Sequence, residues 1–235
     1  MNQVAQQIIT IKIPNGKQCY AEEFRERVAK KMDGVKGSAA LFHYDEKGNT
    51  LNGTPPCRFI SSKNMLGFIS ERECGLQDVN SIMPYFMQAA IEVFGNAEFG
   101  LNIFQRSKSI SRSDFPQTYI ISGFAKKLKG SCYGLGTASN SKTLDDVIKR
   151  EINNLIANAY ASGIIDEQLS ENELDVVIHE ASMSVYPVKK GNKLCVANIK
   201  TIFSMNYKLN GYWQVGSLTA RGKGMIYSYK FEESE

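Results

Sequence analysis

The sequence predicts an α+β fold of two ferredoxin-like (βαββαβ) units in tandem, the second of them modified and rich in strands. In the first part of the chain, strand-like and helix-like segments follow one another in the order β-α-β-β-α-β. The remainder combines several strand-like segments with one strong helical pattern. A length of 235 residues suits one large domain or two small ones, and the order of elements favours two. We therefore expect an N-terminal domain at residues 1–99 and a C-terminal domain at residues 100–235.

Four segments supply the predicted strands of the first unit. Residues 7–13 (QIITIKI) carry β-branched side chains at a period of two, which is typical of a strand. Residues 38–44 (SAALFHY) predict a second strand, and residues 57–70 (CRFISSKNMLGFIS) predict a third strand or a hairpin. Residues 98–104 (EFGLNIF) complete the order as the last strand.

Two helices are predicted between these strands. Phe24, Val28 and Met32 recur at every fourth position in AEEFRERVAKKM and mark the apolar face of the first helix. The segment VNSIMPYFMQAAIEVF predicts the second helix. Pro84 is expected in its first turn, and Gly95 suits the position just after its end.

The second unit contains the clearest helical pattern of the chain, TLDDVIKREINNLIANAYASG. Thr143 and Asp146 resemble a capping box, and Gly163 follows the expected end. The segments before and after this helix are rich in β-forming residues. This content predicts a modified ferredoxin-like unit, although no sequence repeat relates it to the first unit.

The composition is that of an ordinary globular protein, with 43% hydrophobic and 22% charged residues. No apolar run reaches the ~18 residues of a membrane span, and the N-terminus lacks the pattern of a signal peptide. No cofactor or metal site is expected, because the only two histidines lack a helical histidine partner. The scattered cysteines predict reduced thiols of a cytoplasmic protein; they are Cys19, Cys57, Cys74, Cys132 and Cys195.

Charge is unevenly distributed along the C-terminal half. Residues 186–230 contain eight basic residues and no acidic one, whereas residues 166–180 contain six acidic residues and no basic one. Such segregation can create a basic face that attracts polyanions. A solvated surface neutralised by other parts of the fold explains the pattern equally well.

The two histidines differ in their setting. His43 lies where a predicted strand enters a turn, and imidazole can accept and return protons near neutral pH. A lone histidine is more often structural, and in a regular strand His43 would share the core-facing side with Leu41. His179 lies in mid-strand beside Glu180 within the acidic stretch, which favours a solvated histidine.

Two further motifs are compatible with phosphate binding. The segment QRSKSISRSD spaces cations with serine hydroxyls, which suits an extended phosphate-contacting segment or an exposed hairpin. The segment YGLGTAS lacks the third glycine of a dinucleotide-binding loop, so that function is excluded.

The segment GYWQVGSLTARGKGMIYSY is unusual because it places four glycines in a β-like stretch. Arg221 and Lys223 alternate with the last two glycines. Glycine permits the close approach of a backbone or ligand, and free N–H groups there can hold phosphate. Bulges and turns of a β-hairpin explain the spacing equally well.

Together these features resemble the CRISPR RNA-processing endoribonucleases of the repeat-associated mysterious protein superfamily. The resemblance rests on a ferredoxin-like first half with a lone histidine after its first helix, and on the segment CRFISSKNMLGFIS that follows. It also rests on GYWQVGSLTARGKGMIY, where that family carries its glycine-rich signature. The small size and the position of His43 are most similar to the type IV branch.

The resemblance implies a metal-independent endoribonuclease that cuts CRISPR repeat RNA beside a stem-loop. A 2′-hydroxyl would attack the adjacent phosphate and leave a 2′,3′-cyclic phosphate and a 5′-hydroxyl. His43 would be the general base or acid, with Tyr20 as its partner. Tyr44 is expected to point away from His43 if the strand continues. The enzyme would remain bound to its product and join other subunits of an effector complex.

The resemblance also implies which residues hold the RNA. Arg25, Arg58 and Lys63 are candidates for stabilising charge on the phosphate. Because A-form RNA is recognised mainly by shape and backbone, distributed cations and free amides suit the stem. The residues expected to bind it are Arg106, Lys108, Arg112, Gly216, Arg221, Gly222, Lys223 and Gly224.

Two other functions stay open at this point. A non-catalytic subunit could clamp the guide RNA of a CRISPR effector complex with the same fold and glycine-rich loop; His43 favours the enzyme. A β-rich protein-interaction module with an incidental basic face is the third reading. Salt-sensitive RNA binding would argue against the module.

Overall fold

The computed structural model describes residues 4–45, 47–49, 51, 55–71, 75–95, 98–128, 141–165, 174–187 and 195–229. Their contacts divide the chain into two compact units. The first comprises Val4–Ser107 together with Thr219–Gly222. The second comprises Lys108–Leu218 and the residues from Lys223 onward. The division within the chain falls inside one long strand.

The first unit is an antiparallel sheet with two main helices. Its elements are β1 (Val4–Lys12), α1 (Ala21–Lys31), α2 (Ser38–Leu41), β2 (Cys57–Ser62), β3 (Met65–Ser70), α3 (Gly75–Phe94) and the start of β4 (Leu101–Leu128). The strand order is β2-β3-β1-β4. This is the order of a ferredoxin-like unit, and it confirms the predicted arrangement.

The predicted apolar face of α1 forms the centre of the first core. Phe24, Val28 and Met32 are almost completely buried. Phe24 contacts Phe86 of α3 edge to face, with their ring centroids 4.9 Å apart. The segment of residues 57–70 is a hairpin, as one of the two alternatives predicted, with its turn at Lys63–Asn64.

The segment SAALFHY is not the predicted strand. Gly37, at a φ of 81°, precedes the short helix α2, which ends at Leu41. Ala39 accepts hydrogen bonds from the N–H groups of Phe42 and Tyr44 at 3.1 and 3.0 Å. Alanines favour the helical turn, and these local bonds replace the partner strand that the prediction required.

Pro84 lies in the interior of α3 rather than in its first turn. The helix begins at Gly75, several residues earlier than the hydrophobic pattern indicated. The carbonyl that loses its N–H partner belongs to Asn80, and both Asn80 and Pro84 are exposed, so the missing bond lies on the solvent side of the helix. Gly95, at a φ of 67°, follows the helix as predicted.

The second unit repeats the same strand order with one helix replaced. Its further elements are α4 (Ser141–Ala161), β5 (Val176–Pro187), β6 (Cys195–Asn210), β7 (Trp213–Gln214) and β8 (Met225–Ser228). The strands are ordered β5-β6-β4-β8, all antiparallel. The segment between β6 and β8, with β7 and a short 3₁₀ helix (Thr219–Arg221), replaces the second helix of a ferredoxin-like unit.

Protein atoms occupy the space where a Cβ would lie at three glycines of this segment, Gly216, Gly222 and Gly224. A Cβ on Gly222, whose φ is 81°, would lie 2.5 Å from the Ala21 Cβ and 3.1 Å from the Phe59 carbonyl oxygen. A Cβ on Gly224 would overlap the Val215 carbonyl group. RNA contact at Gly216, Gly222 and Gly224 stays a prediction, and the structure gives these glycines a packing role on the side where a Cβ would lie.

We predict that Gly222→Val destabilises the protein. A β-branched residue would adopt a left-handed backbone and clash with Ala21, which together cost about 2–4 kcal/mol. Thermal unfolding should show a melting temperature lowered by roughly 5–15 °C. Gly100→Ala is the matched control, since a Cβ at Gly100 meets no atom within 4 Å. A melting temperature of Gly222→Val equal to that of the control would contradict the packing role.

Candidate functional site

The site lies in the first unit, where the N-terminal end of α1, the turn after α2 and the 3₁₀ helix meet. The 3₁₀ helix contacts α1 and β2. Its last residue, Arg221, forms an ion pair with Glu22 in the first turn of α1, at 2.7 Å between Nη1 and Oε1. The close packing of Gly222 on Ala21 thus places Arg221 at this end of α1.

Arg25 holds the turn after α2 in place through contacts with Phe42 and Tyr44. The side chain is buried, and its Nη2 donates a hydrogen bond of 2.7 Å to the Phe42 carbonyl oxygen. Its guanidinium carbon lies 5.5 Å from the ring centroids of both Phe42 and Tyr44. These contacts give Arg25 a role in positioning the turn, and its direct contact with phosphate stays a prediction.

His43 occupies the turn with a left-handed backbone, at a φ of 65°. This conformation costs a non-glycine residue about 1–2 kcal/mol, and such strain persists only where surrounding contacts impose it. The His43 carbonyl accepts a hydrogen bond of 3.0 Å from the Leu51 N–H. His43 is half-buried whereas Leu41 is buried, so the turn removes the histidine from the core-facing side that a strand would have given it.

Tyr44 interacts with two guanidinium groups. Hydrogen bonding to Arg25, opposed by burial and aided by the charges of Arg25 and Arg221, lowers the pKa of the Tyr44 phenol below its usual value. For Arg221, burial opposes the charge, but the Glu22 carboxylate outweighs it and the pKa is raised. The phenol therefore lies in a cationic environment that stabilises its ionised form.

Tyr20 immediately precedes α1 and is 63% exposed. Its hydroxyl makes no capping bond to the helix. The next residue is anchored instead, because the Ala21 N–H donates a hydrogen bond of 3.1 Å to the Ser61 hydroxyl of β2. The prediction that Tyr20 stands at the start of the first helix is confirmed, and its partnership with His43 stays a prediction.

Burial separates the other predicted RNA-binding cations into two groups. Arg58 is 1% exposed and forms an ion pair with Glu71. In the second unit, Lys108 is buried with its Nζ 4.2 Å from the ring centroid of Trp213. Both cations are thus held by protein partners, and their direct contact with RNA stays a prediction. The predicted cations that are accessible to an RNA are the exposed Lys63, Arg106 and Arg112 and the half-buried Arg221 and Lys223.

Sequence reasoning missed Glu22 and Tyr44. Glu22 resembled one of several charges on a solvated helix face, and its pairing with Arg221 joins residues 199 positions apart. Tyr44 was discounted because a continuing strand would have turned it away from His43. The alanines before Phe42 were the available signal for a helical turn.

The described part of the chain is expected to lack metal sites and membrane spans and to contain reduced cysteines. No group of three or more His, Cys, Asp or Glu side chains there could hold a metal ion. Within the same residues, no helix is long and apolar enough to cross a membrane. Cys19 and Cys57 are reduced cysteines buried in the first unit, and Cys74 and Cys132 lie outside the described residues.

We predict that Arg221→Gln raises the pKa of Tyr44, because removing a nearby cation destabilises the phenolate. The measurement is the ultraviolet absorbance of tyrosinate as a function of pH, with the curve of Tyr44→Phe subtracted to isolate Tyr44. Lys223→Gln is the matched control, since it removes the same charge two positions further along the chain, and Lys223 is not among the causes of the Tyr44 shift. Coinciding curves for Arg221→Gln and the wild-type protein would contradict the proposed contact.

Comparison with known proteins identifies the family. The family model described as type IV CRISPR-associated endonuclease Csf5 matches residues 4–230. A solved structure titled "Csf5, CRISPR-Cas type IV Cas6 crRNA endonuclease" is similar in fold, with a TM-score of 0.79 at 17% identity over 96% of this chain and 100% of that chain. A crystal structure of Cas6b has a TM-score of 0.57 at 19% identity, with the same coverage. Curated protein sequences give no match. The chain belongs to the Csf5 family of type IV CRISPR-associated endonucleases.

Proposed function

We propose that this protein is an endoribonuclease that processes CRISPR repeat RNA into guide RNAs. The observation that carries the proposal is the turn at Phe42–Tyr44. It holds a histidine in a strained conformation next to a tyrosine that contacts two arginines. Strained residues and groups with perturbed pKa values are frequent at active sites. Membership of an endonuclease family gives this turn its chemical interpretation.

The proposed reaction is an internal transesterification that requires no metal ion. The 2′-oxygen loses its proton and attacks the adjacent phosphorus, and the bond from phosphorus to the 5′-oxygen breaks. The products are a 2′,3′-cyclic phosphate and a 5′-oxygen that gains a proton. A general base, a general acid and a cation beside the pentavalent phosphate are the groups required.

His43 is the proposed general base or acid, because histidine is the side chain that most often transfers protons near neutral pH. Arg221 is the proposed cation: its side chain is 33% exposed, so a phosphate can reach it. An ion pair this accessible contributes only about 0–1 kcal/mol. Arg221 can therefore exchange the Glu22 carboxylate for an RNA phosphate at a small cost in free energy.

Two tyrosines are candidates for the proton-transfer partner of His43. Tyr20 is exposed at the start of α1. Tyr44 follows His43 directly, and the arginines that lower its pKa make its phenol a better proton donor. The environment of Tyr44 favours it over Tyr20. In this proposal the enzyme also retains the processed RNA and joins an effector complex, so cleavage and product release are separate steps.

Cleavage in the presence of EDTA tests the metal-independent mechanism. We expect the full chain to cut a transcript of its own CRISPR repeat with undiminished rate, leaving a 2′,3′-cyclic phosphate that end-group analysis detects. A transcript with 2′-deoxyribose at the cut site should bind equally well and remain intact, because the nucleophile is absent. Cleavage of the deoxy transcript would refute the mechanism, and binding of the normal transcript without cleavage would indicate a non-catalytic RNA clamp.

His43→Ala should lower the single-turnover cleavage rate by about 100-fold or more, since a positioned acid or base contributes that much. RNA affinity should change little. His179→Ala is the matched control: this histidine is exposed on β5 and contacts the Ser204 hydroxyl at 3.0 Å. Comparison of Tyr44→Phe with Tyr20→Phe identifies the partner, and we expect the larger loss from Tyr44→Phe. Normal cleavage by His43→Ala would remove His43 from the mechanism.

A further inference from the structure

A four-residue bulge interrupts β4 in the second unit. Arg112 pairs with Tyr207 of β6, and the next paired residue, Gln117, faces Met205. Residues 113–116 therefore stand opposite the single residue Asn206 and cannot be accommodated within the ladder. The chain must leave the regular sheet here, as it does at other β-bulges.

Side-chain hydrogen bonds give the bulge a defined shape. The Ser113 hydroxyl donates to the Phe115 carbonyl oxygen at 2.8 Å. The Gln117 amide nitrogen donates to that same oxygen and to the Ser113 hydroxyl, both at 3.0 Å. Pro116 further restricts the backbone of Phe115. The bulge thus presents the side chain of Phe115 from an ordered backbone.

Phe115 is 77% exposed, the highest value among the large hydrophobic residues that the structure describes. A single exposed apolar side chain is ordinary on a protein surface. Phe115 differs in two ways: three hydrogen bonds order the backbone of the bulge that carries it, and cations lie nearby in the sheet. Exposed Arg112 directly precedes the bulge, and exposed Lys208 lies on β6 opposite Ser111. Asp114 adds one exposed carboxylate.

We propose that Phe115 stacks on an unpaired nucleobase of the repeat RNA while Arg112 contacts the adjoining phosphate. This inference rests on the proposed function and adds a base-binding position to it. Proteins hold single-stranded RNA by combining aromatic platforms with nearby cations. A protein partner would instead require an extended apolar surface around the aromatic anchor, whereas the exposed residues that flank Phe115 are the charged Arg112 and Asp114 together with Pro116.

Equilibrium binding of the full chain to its own repeat transcript tests the proposal. Phe115→Ala should weaken binding by about 5- to 150-fold, the range expected from the loss of one base–aromatic stack. Phe115→Trp should retain or strengthen binding, whereas Phe115→Leu should behave like Phe115→Ala because it keeps an apolar side chain but loses the ring. Val177→Ala is the matched control, since Val177 is 47% exposed on β5 of the same unit. Melting temperatures should stay unchanged throughout.

A second set of transcripts locates the base. Abasic substitution at the stacked nucleotide should weaken binding to the wild-type protein and have no further effect on Phe115→Ala. Wild-type affinity of Phe115→Ala or of Phe115→Leu would overturn the stacking proposal and leave RNA processing intact. Loss of association with a protein subunit alone, with RNA affinity retained in Phe115→Ala, would overturn it in the same way. A wild-type chain that fails to bind repeat RNA would overturn both proposals.

Discussion

The geometry of the candidate site depends on the hydrogen bond from the buried Arg25 guanidinium to the Phe42 carbonyl. A hydrogen bond from a charged donor contributes about 1.5–3 kcal/mol. This is comparable with the roughly 1–2 kcal/mol that the left-handed backbone of His43 costs. The bond therefore offsets the strain, and the rings of Phe42 and Tyr44 beside the guanidinium stabilise the buried charge. Without Arg25, the turn would lose the contact that opposes its relaxation.

The second constraint on the site is the packing of the glycine-rich segment. By its contacts, Thr219–Gly222 belongs to the first unit although its sequence neighbours belong to the second. Only glycine fits at position 222 beside Ala21, and this close approach fixes the position of Arg221 next to Glu22 and Tyr44. The glycine-rich segment thus contributes to the site by positioning a cation, and its glycines serve the fold.

The positive charges of the chain serve different purposes according to burial. Arg25 and Arg58 are buried, and each stabilises the first unit through a specific partner. Arg112 is exposed, so it can bind an anionic ligand without leaving a buried partner unpaired. The net charge of +4 therefore does not by itself indicate which of these cations are placed to bind RNA.

Local sequence patterns determined the elements of this protein and much of its architecture. Phe24, Val28 and Met32 specify the buried face of α1, because the period of a helix decides which side chains share a face. The order of elements then restricts the first unit to a ferredoxin-like sheet. The same patterns located the lone histidine and the cationic glycine-rich segment. They failed at SAALFHY, where a strand and a short helical turn are both compatible with the local pattern.

Only the tertiary structure decided what surrounds each functional side chain. The contact between Arg221 and Glu22 joins residues 199 positions apart, and the burial of Arg25 and Arg58 depends on elements packed over them. The close neighbour of Gly222 is likewise Ala21, in a distant part of the chain. Sequence periodicity reports how one segment divides its surface between core and solvent. It carries no information about which distant segment supplies the opposing atoms, and those atoms set the strain, charge and accessibility of the site.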